Sequence, residues 1–184
     1  MRAHMLAAGF CVLAAPALAG GFTLTTPAFR PGGTIPTTEV LNGLGCTGGN
    51  RSPALSWSGA PVGTESYAVT IYDPDAPGGR GWWHWTVFNI PANVHGLVAG
   101  AGTANSRSLP PGAGEGRTDF GFSHYGGPCP PAADRPHRYM ITVYALKTPH
   151  LPLDARSSPA QVSVQLRGNV LAAAQIIGNY GRPR

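Results

Sequence analysis

Three pairs of residues spaced by two carry most of the chemistry this chain could do: Asp73 with Asp75, Trp82 with His84, and His137 with Tyr139. On extended backbone, residues two apart point to the same side. Each pair therefore presents two functional side chains to one face. A lone Asp before a proline commonly caps a turn, and a His beside a Trp commonly packs in a core. Two imidazoles together with two carboxylates are costly to bury without a use, so the pairs together point to a binding or proton-handling site.

Other chemistries are excluded by inspection. The sequence has no G-x-S-x-G, H-E-x-x-H or G-x-x-x-x-G-K-[ST] pattern. Asp73-x-Asp75 could open a calcium loop, but Pro74 and Pro77 stiffen it and the later ligands are missing. No cysteine lies in a C-x-x-C pair, so zinc and thioredoxin-like readings are weak. No metal or cofactor is expected. The formal net charge is +5, yet Lys147 is the single lysine and the arginines are scattered rather than striped, which argues against nucleic acid as a partner.

The elements that must position the pairs are short. Ser66–Tyr72, Trp83–Ile90 and Tyr139–Leu146 are β-branched and aromatic on both alternating faces, each bounded by turn residues, and they read as central strands covered on both sides. Each spaced pair sits at an end of one of them, so neighbouring strands would bring all three to one rim. Phe22–Thr25 and Ala54–Trp57 are shorter strand candidates. The stretch from Val98 to Pro136, rich in Gly and Pro, is long enough for a loop to be functional in its own right. Ser158 before Pro159 is a helix N-cap with Pro at N1. Two short helices separated at Gly168 are expected, then a final strand over Gln175–Tyr180.

The N-terminus reads as a secretory signal over residues 1–19, with Arg2, an apolar stretch from Leu6 to Ala15 and Ala17-Leu18-Ala19 before Gly20. The mature chain, 20–184, is expected to be one domain in the periplasm or outside the cell. No apolar run reaches the length that spans a bilayer. Cleavage removes Cys11 and leaves Cys46 and Cys129, each in a Gly/Pro loop of a chain bound for an oxidising compartment. A Cys46–Cys129 disulfide is the expectation, with two separate free thiols as the alternative.

Asp73-Pro74-Asp75-Ala76-Pro77, Trp82-Trp83-His84-Trp85, Gly126-Gly127-Pro128-Cys129-Pro130-Pro131 and His137-Arg138-Tyr139 resemble, in order and spacing, the signature segments of the phosphatidylethanolamine-binding proteins, in their bacterial Raf-kinase-inhibitor-like branch. The likeness extends through 45–53, Asp119-Phe120-Gly121 and Gly178-Asn179-Tyr180-Gly181-Arg182. It implies a mostly β fold, with a large antiparallel sheet packed on a smaller one and short C-terminal helices. It also implies a pocket for phosphate or a phospho-headgroup at Asp73, Pro77, Trp82, His84, His137 and Tyr139, with Pro128 to Pro131 as one wall. With Asp75 added from its spacing, the expected ligand set is Asp73, Asp75, Pro77, Trp82, His84, Pro128, His137 and Tyr139. His124 and Arg117-Thr118 depart from the branch pattern, which implies a differently shaped mouth.

The reading favoured is a non-enzymatic exported protein that binds a small anionic or zwitterionic phospho-ligand and meets a protein partner through the pocket rim. A hydrolase of phospho- or carboxy-esters, with His84 or His137 as base and Asp73 orienting it, is one alternative. Protease inhibition through the loop from Ala101 to Gly116 is another. With neutral histidines the matched residues are net negative, so simple anions should bind more tightly as pH falls from about 8 to about 6, through protonation of His84.

Overall fold

The computed structural model describes residues 21–182, so the expected signal segment lies outside the described residues. In chain order the elements are β1 (Thr23–Thr25), β2 (Asn42–Gly43), β3 (Cys46–Thr47), β4 (Leu55–Ser58), β5 (Ser66–Asp73), β6 (Trp82–Pro91), β7 (Gly96–Leu97), β8 (Gly114–Glu115), β9 (His137–Leu146), α1 (Pro159–Asn169) and β10 (Val170–Tyr180). The three double-sided apolar runs become β5, β6 and β9. They sit in the middle of an antiparallel sheet of order β10-β9-β5-β6-β8.

Apolar residues on both faces of a strand require a layer on each side. On one side Val69, Ile71, Trp85 and Val143 pack against Leu24, Leu55 and Trp57 of a smaller sheet, β1-β4-β7. On the other, Ala68, Phe88 and Leu146 meet Val162 and Leu166 of α1, and Leu151. Val162 and Leu166 are four apart, hence on one face of the helix and both buried.

The C-terminal expectation needs correction. Ser158 caps α1 as expected, through a reciprocal capping box with Gln161, but one helix runs through Gly168 to Asn169 instead of two. β10 begins at Val170, not near Gln175. Ala172, Ala173 and Ala174 are strong helix formers, yet they pair with Ala145, Tyr144 and Val143 along β9. The ladder bonds offered by that strand outweigh a helix preference of roughly a few tenths of a kcal/mol per residue.

Candidate functional site

Antiparallel pairing decides where the spaced residues go. The C-terminal end of β5 lies between the N-terminal ends of β6 and β9, with Asp73 opposite Trp82 and Tyr72 opposite Met140. Ile71 pairs with Trp85 while Tyr72 pairs with Trp83, so His84 is the extra residue of a β-bulge. A bulge re-aims a side chain, and His84 is buried with its ring edge-on to Tyr139 and Phe120.

A cavity of about 350 Å³ opens at this strand end. Asp73, Trp82, His84, His137 and Tyr139 form its polar floor, and Ala76 and Pro77 border it from the turn after β5. Its other wall is Cys129, Pro130 and Pro131, with Leu44, Phe120 and Arg182 completing the mouth. Two residues of the expected ligand set stand elsewhere. Pro128 is buried behind the wall, its carbonyl accepting from Leu41 N. Asp75 is taken by arginines: its carboxylate accepts from Arg138 Nε and Nη2 at 2.8 and 2.9 Å and from Arg135 Nη2 at 3.1 Å. Those hydrogen bonds and charges hold the Asp75 carboxyl far below the usual range.

The wall is stapled. Cys46 and Cys129 are joined, with Cα atoms 6.0 Å apart, so the expected disulfide is present. Gly127 lies so close to the chain at Glu39 that a Cβ there would come within 2.1 Å of its carbonyl oxygen. Glycine at this point lets the Pro-rich loop lie flat against the segment before β2.

The two histidines are in different protonation environments. His84 Nδ1 is 2.7 Å from the carbonyl of Gly126, which can only accept, so Nδ1 carries the proton and Nε2 keeps its lone pair in the neutral ring. Burial lowers the pKa of His84, outweighing the hydrogen bond to Gly126, which raises it. His137 is also buried, but Nδ1 faces Asp73 Oδ2 at 2.8 Å and Nε2 faces Asp134 Oδ2 at 3.2 Å. Burial pulls its pKa down. The two carboxylates outweigh that and raise it above the ordinary value. Two carboxylate partners favour the doubly protonated ring, in which both nitrogens donate. The two histidines are thus pushed in opposite directions, His137 toward the charged form and His84 toward the neutral one.

Three site features went unassigned in the sequence. Asp134 is three residues before His137, a spacing that brings it back to the ring only because the 132–136 turn folds over. Arg182 follows β10, whose Tyr180 pairs with His137, and so emerges at the same rim. Phe120 stacks on Phe122, and Phe122 on His124, with centroids 5.3 and 3.9 Å apart. His124 thus ends a row of rings leading from the pocket wall instead of entering the cavity. The indole Nε1 of Trp82 is buried with no hydrogen-bond partner among the described residues. Such a group costs about 1–3 kcal/mol unless something accepts from it.

Fold and site together define a mostly β protein with a ligand-sized, polar-floored cavity at the ends of its central strands. The model of the family described as phosphatidylethanolamine-binding protein matches residues 25–181, and the chain belongs to that family. It is 51% identical over 164 residues to the Escherichia coli K12 protein YbcL, covering 89% of this chain and 90% of that one. To YbhB of the same organism it is 44% identical over 151 residues, 82% of this chain and 94% of the other. The crystal structure of E. coli YbcL, presented as a new member of the mammalian PEBP family, matches with a TM-score of 0.86 at 50% identity, over 88% of this chain and 99% of that chain.

Proposed function

We propose that the protein is an exported, non-enzymatic binding protein whose strand-end cavity takes a small oxyanion or a zwitterionic phospho-headgroup. The observation that carries this reading is a cavity of about 350 Å³ whose lining brings together Trp82, with its unpartnered indole N–H, and His84, whose Nε2 keeps a lone pair. An unpartnered N–H and an imidazole lone pair among the lining side chains suit a small group bearing both bare and protonated oxygens. Catalysis finds less support. Both nitrogens of His137 are committed to carboxylates and the Cys129 sulfur to a disulfide, and the remaining base, His84 Nε2, has no serine or threonine beside it in the cavity lining. Export is supported by the signal-like segment 1–19 and the disulfide. Modulation of a protein partner would run through the rim, where Leu44 is 75% exposed.

Calorimetric titration with inorganic phosphate, acetate and phosphoethanolamine tests the reading. Binding by the wild type, weakened by Trp82→Phe, is expected. Turnover of an aryl phosphate or an aryl acetate, abolished by His84→Ala, would replace it with the hydrolase reading.

A further inference from the structure

The floor of the cavity holds one carboxylate and one imidazolium that neutralise each other, Asp73 and His137, and a second carboxylate, Asp134, reaches the same ring. The floor alone has no surplus positive charge with which to draw in an anion. Arg182 does. It lines the same cavity, and none of the ion pairs among the described residues includes it.

Its position is held by backbone. Nε donates to the carbonyl of Pro130 at 2.6 Å and Nη1 to that of Gly45 at 3.1 Å, while residue 182 bridges Ala132. Neither side-chain bond uses Nη2. Gly45 has φ of +81° and its missing Cβ would stand 3.2 Å from Nη1, so the guanidinium rests on bare backbone. The two carbonyls belong to the two loops that the Cys46–Cys129 disulfide ties together. Carbonyl partners orient a guanidinium without cancelling its charge, whereas a carboxylate would cancel it.

Resting on the pocket reading above, we propose that Arg182 is the charge-selecting contact of the cavity: from a seat built by the stapled loops it recognises the oxygens of a phosphate group, free or carried on a lipid headgroup.

The test is calorimetry of the full mature chain with inorganic phosphate and phosphoethanolamine at low and high salt, plus co-sedimentation with phosphatidylethanolamine-containing vesicles. Arg182→Gln is expected to weaken inorganic phosphate at least about tenfold and to flatten the salt dependence. Arg182→Lys should recover part of the loss, within about threefold of wild type, because charge persists where the fork geometry is gone. Vesicle binding lost in Arg182→Gln along with the soluble probes would identify the lipid headgroup as one source of the phosphate. Wild type that binds phosphate while Arg182→Gln binds it equally overturns the assignment and leaves the pocket reading standing. Equal losses in the Gln and Lys variants, with the salt slope unchanged, overturn it too, since that is the signature of a residue that only props the wall. Wild type that binds neither soluble probe overturns both.

Discussion

Asp73 and Asp75 stand two residues apart on the same turn, and Asp73 Oδ1 even accepts from the Asp75 backbone N–H at 2.8 Å. Their partners differ in kind. Asp73 is buried and meets a buried imidazole that can gain or lose its charge, at the floor of the cavity. Asp75 meets guanidinium groups that are always charged and lie largely in solvent, away from the cavity lining. A carboxylate beside a permanent cation is a clamp, here joining the turn after β5 to the start of β9. A carboxylate beside a titratable ring is a control point. Glu115 supplies a third case: half-buried, its carboxyl accepting from the Trp85 indole N–H, it is pushed by burial up to about 7.

Breaking the buried pair should give the largest effect. Asp73→Asn removes the principal counter-charge of His137, and urea denaturation at pH 6 is expected to show a loss of about 3 kcal/mol, in the range for a broken buried ion pair. The same variant should lose the pH dependence of acetate binding, measured above pH 6, where acetate itself stays ionised. A stable variant with wild-type pH dependence would mean that the two aspartates are not different in kind.

Glu115→Gln should move stability the other way. The folded carboxyl has its pKa raised from 4.5 to about 7, so the folded state binds the proton more tightly than the unfolded chain. Stability is lost as pH rises from 4.5 through about 7. The glutamine variant should therefore be more stable than wild type at pH 8, by about 1–2 kcal/mol once partial exposure is discounted, and equal to it near pH 4.

Asp75→Asn should cost less, about 1 kcal/mol, because its arginine partners regain water when released. Phosphate affinity should stay within about twofold of wild type. The clamp and the control point also separate by pH. The stability that His137 contributes is fully present below its ordinary pKa of 6.5 and lost as pH rises through the raised native value. That of Asp75 is present above 3.8 and lost as pH falls toward the lowered native value. Denaturation of Asp75→Asn against pH should accordingly be flatter than wild type on the acid side alone.

The smallest expected change is at the exposed Asp134. Asp134→Asn removes one of the two carboxylates that raise the His137 pKa, so the fall in acetate affinity with rising pH should begin at lower pH, with little change in thermal stability. An unmoved profile would leave Asp73 as the sole control of that ring.

Much of this was readable in the residues themselves. Runs apolar on both faces, as in Tyr67 to Ile71 and Trp85 to Ile90, have one physical solution, a central strand with a layer on each side, and that is what forms. The period of two put Trp82 with His84 and His137 with Tyr139, and antiparallel pairing carried both to one rim. Cys46 and Cys129 could be paired because, in a chain expected to be exported, two loop cysteines have few other uses. The pattern did not contain which carboxylate would meet which cation. Asp73 and Asp75 share spacing and face, and only the turn that brings Arg135 and Arg138 against one of them separates their roles. Helix propensity misread Val170 to Ala174 because a neighbouring strand edge is a tertiary fact. The placement of Arg182 is of the same kind: a residue 52 positions from Pro130 and 137 from Gly45 reaches both carbonyls only once β10 has paired with β9 and the disulfide has closed the loops. Local sequence encodes the strands and the residue types; long-range pairing decides which charges meet, because that depends on loops whose positions no periodicity records.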